Sequence, residues 1–444
     1  MYAIDLFCGA GGMSEGIIQS GFHILFSSDI NIDVQHTYMN RHKQLGFIQG
    51  YNTYYHKGDV RELNGDFIWN CINNLTFFEE NNIEVPEQID AIFGGPPCQG
   101  FSRAGKRDSC DPRNMLFKEY LRVISEIHPK YVVMENVEGF NDTKFSNFIG
   151  LTGHNYPNNT IAPKILINEF NLLGYNVLPP KVLDASDFGV PQRRKRVIFI
   201  AYAEGENVPT YPKQITNENN KITVLQAIGD LITNNQIRQQ LNPILSNFQK
   251  DSKIGRTPNI NNKPVVRGPR LNNIELSTHQ AIIEERFSLF NEDEDGSALR
   301  KRIIEQGINL EGKISLLNLL SNTFNISNED IINRFKNKKI DNNMLDILLT
   351  KKNMRRKLNK SKPSLTVVTL PDDYISPFEN RTFSVRELAR LQSFDDSFVF
   401  YGKRTTGGNR RKFEIPQYTQ VGNAVPPLLA KAIASQIALA IDNE

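Results

Sequence analysis

The sequence of 444 residues contains 39% hydrophobic and 23% charged residues, a composition typical of a globular protein with two or three domains. We find no apolar run long enough to predict a bilayer span, and the first residues lack the basic and apolar regions of a secretory signal. The four cysteines form no CxxC pair, which argues against a zinc site or a disulfide scaffold and favours a reducing cytoplasm. The net charge of +3 is too small to identify a partner.

Short apolar runs and helical patterns alternate over residues 1–200. We predict strands at 2–7, 23–28, 89–93, 131–134 and 196–201, and helices at 13–20, 33–41 and 113–127. Alternation of this kind is typical of βαβ units with a mostly parallel sheet, so the predicted fold class is α/β.

The character of the sequence changes after residue 204. Asn, Lys and Ile become frequent and strand patterns weaken, with an acidic patch at 292–295 and a basic run at 351–357. A basic run of this kind is either a solvated helix face or a nucleic-acid contact. A regular spacing of apolar residues returns from residue 364. It predicts a helix at 386–392 and a last helix whose apolar face packs in the core.

A glycine-rich turn, Cys8-Gly9-Ala10-Gly11-Gly12, connects the first predicted strand to a helix. This arrangement brings backbone amides close to a nucleotide-like ligand. Asp29 ends the second strand, where a carboxylate can bind both ribose hydroxyls, and Asp59 follows a third strand, where it can accept from an adenine amino group. Both acids could be ordinary turn residues. The order of turn and acids nevertheless favours an adenosine site, without indicating which adenosine cofactor binds.

Cys98 is presented where a predicted buried strand ends. The apolar run 89–93 stops at Gly94-Gly95-Pro96-Pro97, and open α/β sheets bind their ligands at the carboxyl ends of their strands. A structural core cysteine is the alternative, because free cysteines are among the most buried residue types. The prolines before the thiol and the glycines on both sides favour a thiol that is presented to a flat substrate.

Other polar residues are predicted at the same edge of the sheet. Glu135 directly follows a predicted strand, and Gln192, Arg194 and Arg196 share one face of an extended segment, because side chains alternate there. The alternatives are an N-cap for Glu135 and a surface basic patch for the arginines. Near the end of the chain, the Gly-Asn pair within 420–426 suits a tight turn that closes over a ligand.

Taken in order, these motifs resemble the DNA (cytosine-5)-methyltransferase family of prokaryotic restriction–modification systems. The matching segments are DLFCGAGG at 5–12, Asp29, GDV at 58–60, GGPPCQGFS at 94–102, ENV at 135–137, QRRKR at 192–196, RTFSVRELARLQSF at 381–394 and QVGNAVP at 420–426. The resemblance covers 1–200 and 364–444, and the order of the motifs makes it very specific. Two positions depart from the family pattern: Asp29 stands where Glu is common, and Asp395 stands where Pro is frequent, a change for which we expect no consequence.

The resemblance implies a Rossmann-like S-adenosylmethionine-dependent methyltransferase sheet with a smaller target-recognition domain. It places the catalytic and cofactor-binding domain at 1–204, the target-recognition domain at 205–363 and a segment that returns to the catalytic domain at 364–444. The methyl donor is S-adenosylmethionine, the product is S-adenosylhomocysteine, and no metal is implied. The residues implied to line the donor pocket are Phe7, Gly9, Ala10, Gly11, Gly12, Asp29, Ile30, Asp59, Val60, Pro96, Asn423 and Ala424.

The implied reaction is methylation of cytosine C5 within a specific sequence of duplex DNA. Because C5 is a poor nucleophile, a Cys98 thiolate that adds to C6 divides one hard step into easier ones. Glu135 is expected to hold the ring N3 and supply a proton, while Arg194 and Arg196 hold O2 and stabilise the developing negative charge. The base must be flipped out of the duplex to reach such a pocket.

The resemblance also implies where DNA is contacted. The residues expected to contact DNA are Ser102, Arg103, Lys106 and Arg107 in a basic loop after Cys98, Gln192, and Lys351, Lys352, Arg355 and Arg356 in the basic run. We expect a monomer in the cytoplasm, associated with the nucleoid, whose partner is double-stranded DNA and not a membrane. A cognate restriction endonuclease would act separately.

Three alternatives stay open at this point. An RNA (tRNA) cytosine-5 methyltransferase uses the same scaffold, although the long region 205–363 is sized for reading a duplex. A nicotinamide-dependent oxidoreductase is suggested by the glycine turn alone, and it leaves Cys98, Glu135 and the arginines without a joint role. A catalytically silent DNA-binding protein would have no need of Cys98 and Glu135.

Overall fold

A central sheet organises the first half of the chain. The computed structural model describes residues 1–97, 115–350, 352–408, 410 and 413–443. The strands are β1 (Tyr2–Leu6), β2 (His23–Asp29), β3 (Tyr54–Lys57), β4 (Ala91–Gly94), β5 (Tyr131–Val137), β6 (Lys144–Phe145), β7 (Thr160–Ile161), β8 (Tyr175–Val177), β9 (Lys181–Asp184), β10 (Lys195–Ala203), β11 (Arg356–Lys357) and β12 (Tyr374–Ile375). Within the described residues the main sheet has eight strands in the order β3-β2-β1-β4-β5-β10-β8, and β9 also pairs with β10. The pairs β6–β7 and β11–β12 form two small separate sheets.

Helices cover the sheet and build the middle of the chain. They are α1 (Gly12–Gln19), α2 (Ile32–Leu45), α3 (Gly65–Asn73), α4 (Thr76–Glu80), α5 (Leu116–Ile127), α6 (Ala162–Leu172), α7 (Val224–Ile228), α8 (Asn235–Leu241), α9 (Asn247–Ile254), α10 (Ala281–Ser288), α11 (Gly296–Gln306), α12 (Ile314–Phe324), α13 (Asn328–Lys336), α14 (Asn342–Leu348), α15 (Val385–Leu391), α16 (Gln417–Asn423) and α17 (Pro427–Asp442). Short 3-10 helices occupy Val60–Glu62, Glu138–Asp142, Ala185–Phe188 and Gly229–Leu231. The α/β fold class predicted from the sequence is confirmed.

The direction of the strands decides where a ligand can bind. The strands β3, β2, β1, β4 and β5 run parallel, whereas β10 is antiparallel to β5. β1 and β4 are almost completely buried, as expected for parallel strands that are covered on both faces. The carboxyl ends of parallel strands meet at one edge, so Leu6, Asp29, Gly94 and Val137 all lead into loops on the same side of the sheet.

The last helix packs against the first. α17 buries Leu429 and Ile433 in the same hydrophobic cluster as Ile17 of α1, which confirms the core face predicted for the last helix. The close approach depends on Gly16, because a Cβ at that position would lie 2.4 Å from the backbone nitrogen of Lys431. The C-terminal segment is therefore part of the same folded unit as the first strand and helix.

One helical stretch in the described residues is long and apolar enough to cross a membrane. Gln417–Asp442, which comprises α16 and α17, has a mean hydropathy of 1.6 in its most apolar window, so our expectation that no such run exists was wrong. Half of that window is buried inside the protein. Buried core helices meet the same criterion, and the packing of α17 on α1 accounts for its apolar character.

The region 205–363 does not pack as one unit. The helices α7 and α9 share a hydrophobic cluster with α15 and α16. In contrast, α10 to α14 enclose a separate cluster that includes Leu299, Leu316 and Phe335. The predicted domain boundaries stay a prediction, and the packing indicates that the part with its own core spans residues 282–349.

Asp395 belongs to a buried polar network. Its carboxylate accepts the backbone N–H groups of Arg256 at 2.5 Å and Thr257 at 3.3 Å, and it pairs with the Arg256 guanidinium. The Thr257 hydroxyl in turn donates to Glu15 of α1 at 2.5 Å. A proline could make none of these side-chain contacts, so our expectation of no consequence was wrong. Asp395 therefore binds residues 256 and 257, and Thr257 connects them to α1.

A second buried ion cluster holds α15 in place. Arg390 is fully buried, and its guanidinium donates to Asp396 at 2.7 and 2.8 Å and to Asp230 at 2.8 Å. Asp230 lies in the region 205–363, so the cluster joins that region to the C-terminal segment. Burial removes these charges from water, so the stability of the cluster depends on the pairing of Arg390 with both Asp396 and Asp230.

We predict that Arg390→Met lowers the free energy of unfolding by about 3–5 kcal/mol, because it removes the guanidinium that is hydrogen-bonded to the buried Asp396 carboxylate. The other cation beside Asp396, Arg267, lies 4.0 Å away. Urea unfolding followed by circular dichroism measures the difference. The matched control is Arg300→Met, whose ion pair with Asp346 is more exposed and should contribute about 1 kcal/mol or less. Equal effects of the two substitutions would contradict the role of the buried cluster.

Candidate active site

A deep cavity lies at the carboxyl ends of the parallel strands. Its volume is about 1070 Å³, large enough for a nucleoside-sized ligand and a second flat ring. The predicted residues that line it are Phe7, Gly9, Ala10, Gly12, Asp29, Ile30, Asp59, Val60, Pro96, Glu135, Arg194, Arg196, Asn423 and Ala424. The fold thus brings segments from both ends of the chain to one site. Among the described residues, no group of three or more His, Cys, Asp or Glu side chains is placed to hold a metal ion.

The glycine turn shapes the wall of the cavity. Gly12 must lack a side chain, because a Cβ there would lie 2.4 Å from the carbonyl oxygen of Val425. Gly11 has a φ of 97° and is the N-cap of α1, so it shapes the turn although it does not line the cavity. Phe7 also has a positive φ of 58°, a conformation that is strained for an aromatic residue and is often found at functional turns.

Asp29 is positioned at the end of β2 by two backbone N–H groups. Its Oδ2 accepts from Gly9 at 3.0 Å and its Oδ1 accepts from Asn31 at 2.9 Å. Burial raises the pKa of Asp29, and these two hydrogen bonds limit the rise. Each carboxylate oxygen has a second lone pair, so Asp29 can also accept hydrogen bonds from hydroxyl groups of a ligand in the cavity.

Asp59 follows β3, as predicted, and is bound to a neighbouring cation. Its Oδ1 accepts the backbone N–H of Arg61 at 3.0 Å, and both oxygens contact the Arg61 guanidinium. The hydrogen bond from Arg61 lowers the pKa of Asp59. The Arg61 side chain is 61% exposed. A ligand that used Asp59 would therefore share this carboxylate with a solvated guanidinium.

Asp5 is a cavity residue that the sequence analysis missed. Its Oδ2 accepts from the Ser14 hydroxyl at 2.5 Å, while its buried Oδ1 has no hydrogen-bond partner in the described part of the chain. Burial raises the pKa of Asp5 to about 7, although the Ser14 hydroxyl lowers it and Asp29 adds to the rise. The signal in the sequence was an acid inside the apolar strand β1, because a buried carboxyl without a partner is costly.

Glu135 and Arg196 form an ion pair across β5 and β10. The antiparallel register places Ile198 opposite Glu135 and Arg196 opposite Val137, so Glu135 and Arg196 are diagonal neighbours on one face of the sheet. Arg196 Nε lies 2.6 Å from Glu135 Oε1, and the two side chains are only 13% and 12% exposed. Both line the cavity. The site therefore holds a largely dehydrated ion pair at the position predicted for the chemistry.

Arg194 is buried beside this pair and has an unused donor. Its Nη1 and Nη2 donate to the carbonyl oxygens of Val367 at 3.1 Å and Gly422 at 2.9 Å, whereas its Nε has no partner among the residues described. Burial lowers the pKa of Arg194, with a further contribution from Arg196 that Glu135 opposes. Because an unpaired buried N–H is costly, this end of the cavity is suited to a ligand that presents an acceptor.

The chain reaches the cavity wall directly before Cys98. Asn136 Nδ2 donates to the carbonyl oxygen of Pro96 at 3.2 Å, and a Cβ on Gly95 would lie 3.2 Å from Glu135 Oε2. Residues 95–97 therefore run close beside Glu135. The predicted residues that lie outside the described residues are Cys98, Ser102, Arg103, Lys106, Arg107 and Lys351. Their roles stay predictions.

Gln192 is not available for contact with DNA. It is fully buried, accepts the backbone N–H of Val367 at 2.6 Å and donates to Gln392 at 2.8 Å. The prediction of a DNA contact was therefore wrong. Alternation along an extended segment indicates which residues share a face, but it does not indicate which later segment packs on that face. In this fold, residues 364–367 cover Gln192.

Three cations of the basic run are paired with acids. Lys352 and Arg355 contact Asp372 at 2.8 and 3.5 Å, and Arg356 contacts Asp295 at 2.6 Å. The acidic patch noted in the sequence thus supplies a partner for part of the basic run. Contact of Lys352, Arg355 and Arg356 with phosphates stays a prediction, and DNA would have to compete with these ion pairs.

Comparison with known sequences agrees with this geometry. The chain matches the family described as C-5 cytosine-specific DNA methylase over residues 1–439. It is 29% identical to the type II methyltransferase M.DdeI of Desulfomicrobium norvegicum, over 100% of this chain and 90% of that protein. It is 31% identical to the type II methyltransferase M1.HphI of Haemophilus parahaemolyticus, over 99% of this chain and 87% of that protein.

Comparison with solved structures agrees on the fold. A candidate DNA modification methyltransferase encoded within an E. coli prophage superposes with a TM-score of 0.62 at 21% sequence identity, over 100% of this chain and 99% of that chain. The overall fold is thus shared with that structure. Since the family match extends over nearly the whole chain, this protein belongs to the C-5 cytosine-specific DNA methylase family and is a DNA (cytosine-5)-methyltransferase.

Proposed function

We propose that this protein methylates C5 of a flipped-out cytosine in double-stranded DNA, with S-adenosylmethionine as donor and a covalent bond between Cys98 and C6. One observation carries the proposal: a single cavity joins Asp29 and the glycine turn to the buried cluster of Glu135, Arg194 and Arg196. The first set of residues suits an adenosine-containing donor. The second suits a polar heterocycle. A nicotinamide oxidoreductase would have no use for the second set.

The part of the cavity formed by Asp29, Asp59 and the glycine turn, which we call the donor end, offers the groups that an adenosine moiety requires. Asp29 provides oxygens for the ribose hydroxyls, and Asp59 provides one for the adenine amino group. Gly9 leaves room for close approach, because nothing lies within 4 Å of a Cβ built there. When bound, S-adenosylmethionine supplies an activated methyl group on a positively charged sulfur.

The part of the cavity formed by Glu135, Arg194 and Arg196, which we call the base end, can bind the polar edge of a cytosine. In this proposal Glu135 bonds N3, and the Nε–H of Arg194, which has no partner among the described residues, donates to O2. Addition of the Cys98 thiolate to C6 moves the C5=C6 electron pair onto C5, while the protonated form of Glu135 supplies a proton to N3. C5 then takes the methyl group, and S-adenosylhomocysteine is released. A base removes the C5 proton, the re-formed double bond expels the thiolate, and N3 returns its proton to Glu135.

The substrate in this proposal is duplex DNA, and the biological role is modification. Full-length likeness to type II methyltransferases supports a role in a restriction–modification system. Action as a monomer in the cytoplasm, beside a separate restriction endonuclease, is part of the proposal. A base inside a duplex cannot enter a cavity at the edge of a sheet, so the cytosine must be extruded. The RNA alternative has no comparable support, because the family match is to DNA methylases.

Bisulfite sequencing of plasmid DNA from cells that express the protein tests the proposal and reports the target site. We expect protection of cytosine at one recurring sequence. Cys98→Ser should abolish protection, because the hydroxyl cannot replace the thiolate as nucleophile, while DNA binding in a gel-shift assay is retained. Protection by the Cys98→Ser variant would contradict the covalent route, and no protection by the folded wild-type protein would contradict the activity.

Glu135→Gln should lower kcat by a factor of about 10² or more, because the amide cannot supply a proton to N3. The KM for the donor should change little, since Glu135 lies at the other end of the cavity. Transfer of labelled methyl groups to DNA measures both constants. Glu204→Gln, at an exposed position just beyond β10, is the control and should be neutral. A variant with normal kcat and a raised donor KM would show that Glu135 has a different role.

The raised pKa of Asp5 predicts a pH dependence of donor binding. Asp5 is neutral below its pKa of about 7 and ionised above it, so it attracts the sulfonium charge only at higher pH. Burial holds the pKa values of the neighbouring Cys8 and Tyr38 well above this range, while Asp29 is the other carboxyl that faces it.

We therefore expect the ratio of S-adenosylmethionine affinity to S-adenosylhomocysteine affinity to rise between about pH 6 and about pH 8. Because the product lacks the positive charge, the ratio cancels effects that are common to both ligands. Asp5→Asn, which keeps the shape of the side chain, should flatten the dependence. Isothermal titration calorimetry at several pH values measures the ratio. An unchanged slope in the variant would remove Asp5 as the cause.

A further inference from the structure

Phe413 is a large apolar side chain that the proposed chemistry does not use. It is 78% exposed and yet lines the cavity. It belongs to none of the hydrophobic clusters formed by the described residues. Ile30, another wall residue, is also 63% exposed. Two exposed apolar side chains in the wall of a ligand cavity indicate surface that a bound molecule covers.

Hydrogen bonds place Phe413 at the donor end of the cavity. Its carbonyl oxygen accepts from Asn31 Nδ2 at 3.4 Å, and the N–H of Ile415 donates to Asp33 Oδ2 at 2.8 Å. Asn31 is the N-cap of α2, and its own N–H donates to Asp29. The segment that carries Phe413 is therefore attached to the first turn of α2, directly beyond the carboxylate that is suited to a ribose.

The acidic neighbour of Phe413 is already paired. Glu414 also lines the cavity, but its carboxylate contacts Lys403 Nζ at 2.6 Å and the Thr406 hydroxyl at 2.6 Å. The hydrogen bonds to Lys403 and Thr406 lower the pKa of Glu414. Phe413 therefore presents an aromatic face to the cavity, beside a Glu414 carboxylate that is already paired. An aromatic face of this kind suits an uncharged flat ring better than an ionic group.

We propose that Phe413 is the outer wall of the adenine subsite and stacks on the adenine ring of the donor, with Ile30 as a further apolar contact. This inference rests on the proposed function and adds a specificity residue from the segment that precedes α16. Aromatic stacking on a base, together with the apolar area that it buries, is worth about a tenfold change in affinity. The contact lies away from Glu135 and Arg194, so it contributes to donor binding and not to the chemical step.

Isothermal titration calorimetry with S-adenosylhomocysteine tests this inference on the full-length protein. Phe413→Ala should raise Kd by about tenfold, whereas Phe413→Tyr, which keeps an aromatic face, should stay within about twofold of wild type. Ile244→Ala is the matched control, because Ile244 is 79% exposed and does not line the cavity. Its Kd should be unchanged.

A spectroscopic readout separates stacking from a merely structural effect. In the NMR spectrum of bound S-adenosylhomocysteine, the Phe413 ring current should shift the adenine H2 and H8 signals upfield, and this shift should be smaller in Phe413→Ala. The KM for S-adenosylmethionine in methyl transfer should rise in Phe413→Ala together with the Kd.

Three results would overturn the inference: an unchanged Kd in Phe413→Ala, unchanged adenine shifts, or a loss of DNA affinity alone. The last result would make Phe413 a DNA contact. Failure of the wild-type protein itself to bind S-adenosylhomocysteine would instead reject the proposed function, so the two failures are distinguishable.

Discussion

The ion pair between Glu135 and Arg196 across β5 and β10 is the interaction on which the site depends. In a sheet whose other central strands are parallel, β10 enters antiparallel to β5. That reversal lets the start of β10 lie beside the end of β5, so charges from two distant segments meet at the ligand-binding edge. Burial strengthens the pair, because water does not screen it. The neighbouring Arg194 Nε–H has no partner within the described part of the chain, and an unpaired buried donor is costly. That donor is therefore suited to a ligand.

The C-terminal segment closes the cavity and joins its two ends. The carbonyl oxygen of Gly422 accepts from Arg194 at the base end, and Asn423 lines the wall. The carbonyl oxygen of Val425 approaches so close to Gly12 that a side chain there would collide with it. The segment 422–425, which ends α16 and leads into α17, therefore contacts both the arginine cluster and the glycine turn. Packing of α17 on α1 holds this segment in place, which explains why residues so late in the chain complete a site that begins at β1.

Local sequence patterns predicted the parts of the site that follow from strand direction. Asp29, Asp59 and Glu135 were predicted at the ends of strands, and the structure places all three on the cavity wall. Where long-range packing decides, the sequence was insufficient. Gln192 shares a face with Arg194 by alternation, but a segment far along the chain buries it. The basic run looks free for phosphates in the sequence, whereas folding pairs Arg356 with an acid from the patch near residue 295. From the sequence we expected no consequence of Asp395, whereas in the fold its carboxylate forms a buried ion pair.

The central claim is that the Cys98 sulfur bonds transiently to C6 of an extrahelical cytosine. A duplex with 5-fluorocytosine at the methylated position tests it most directly, because fluorine cannot leave as the proton does and the intermediate is trapped. In the presence of S-adenosylmethionine we expect a denaturation-resistant protein–DNA complex, with the bond mapped to Cys98 by mass spectrometry and no complex from Cys98→Ser. Absence of the complex with the wild-type protein on its own target sequence, or a bond mapped to another residue, would contradict the mechanism.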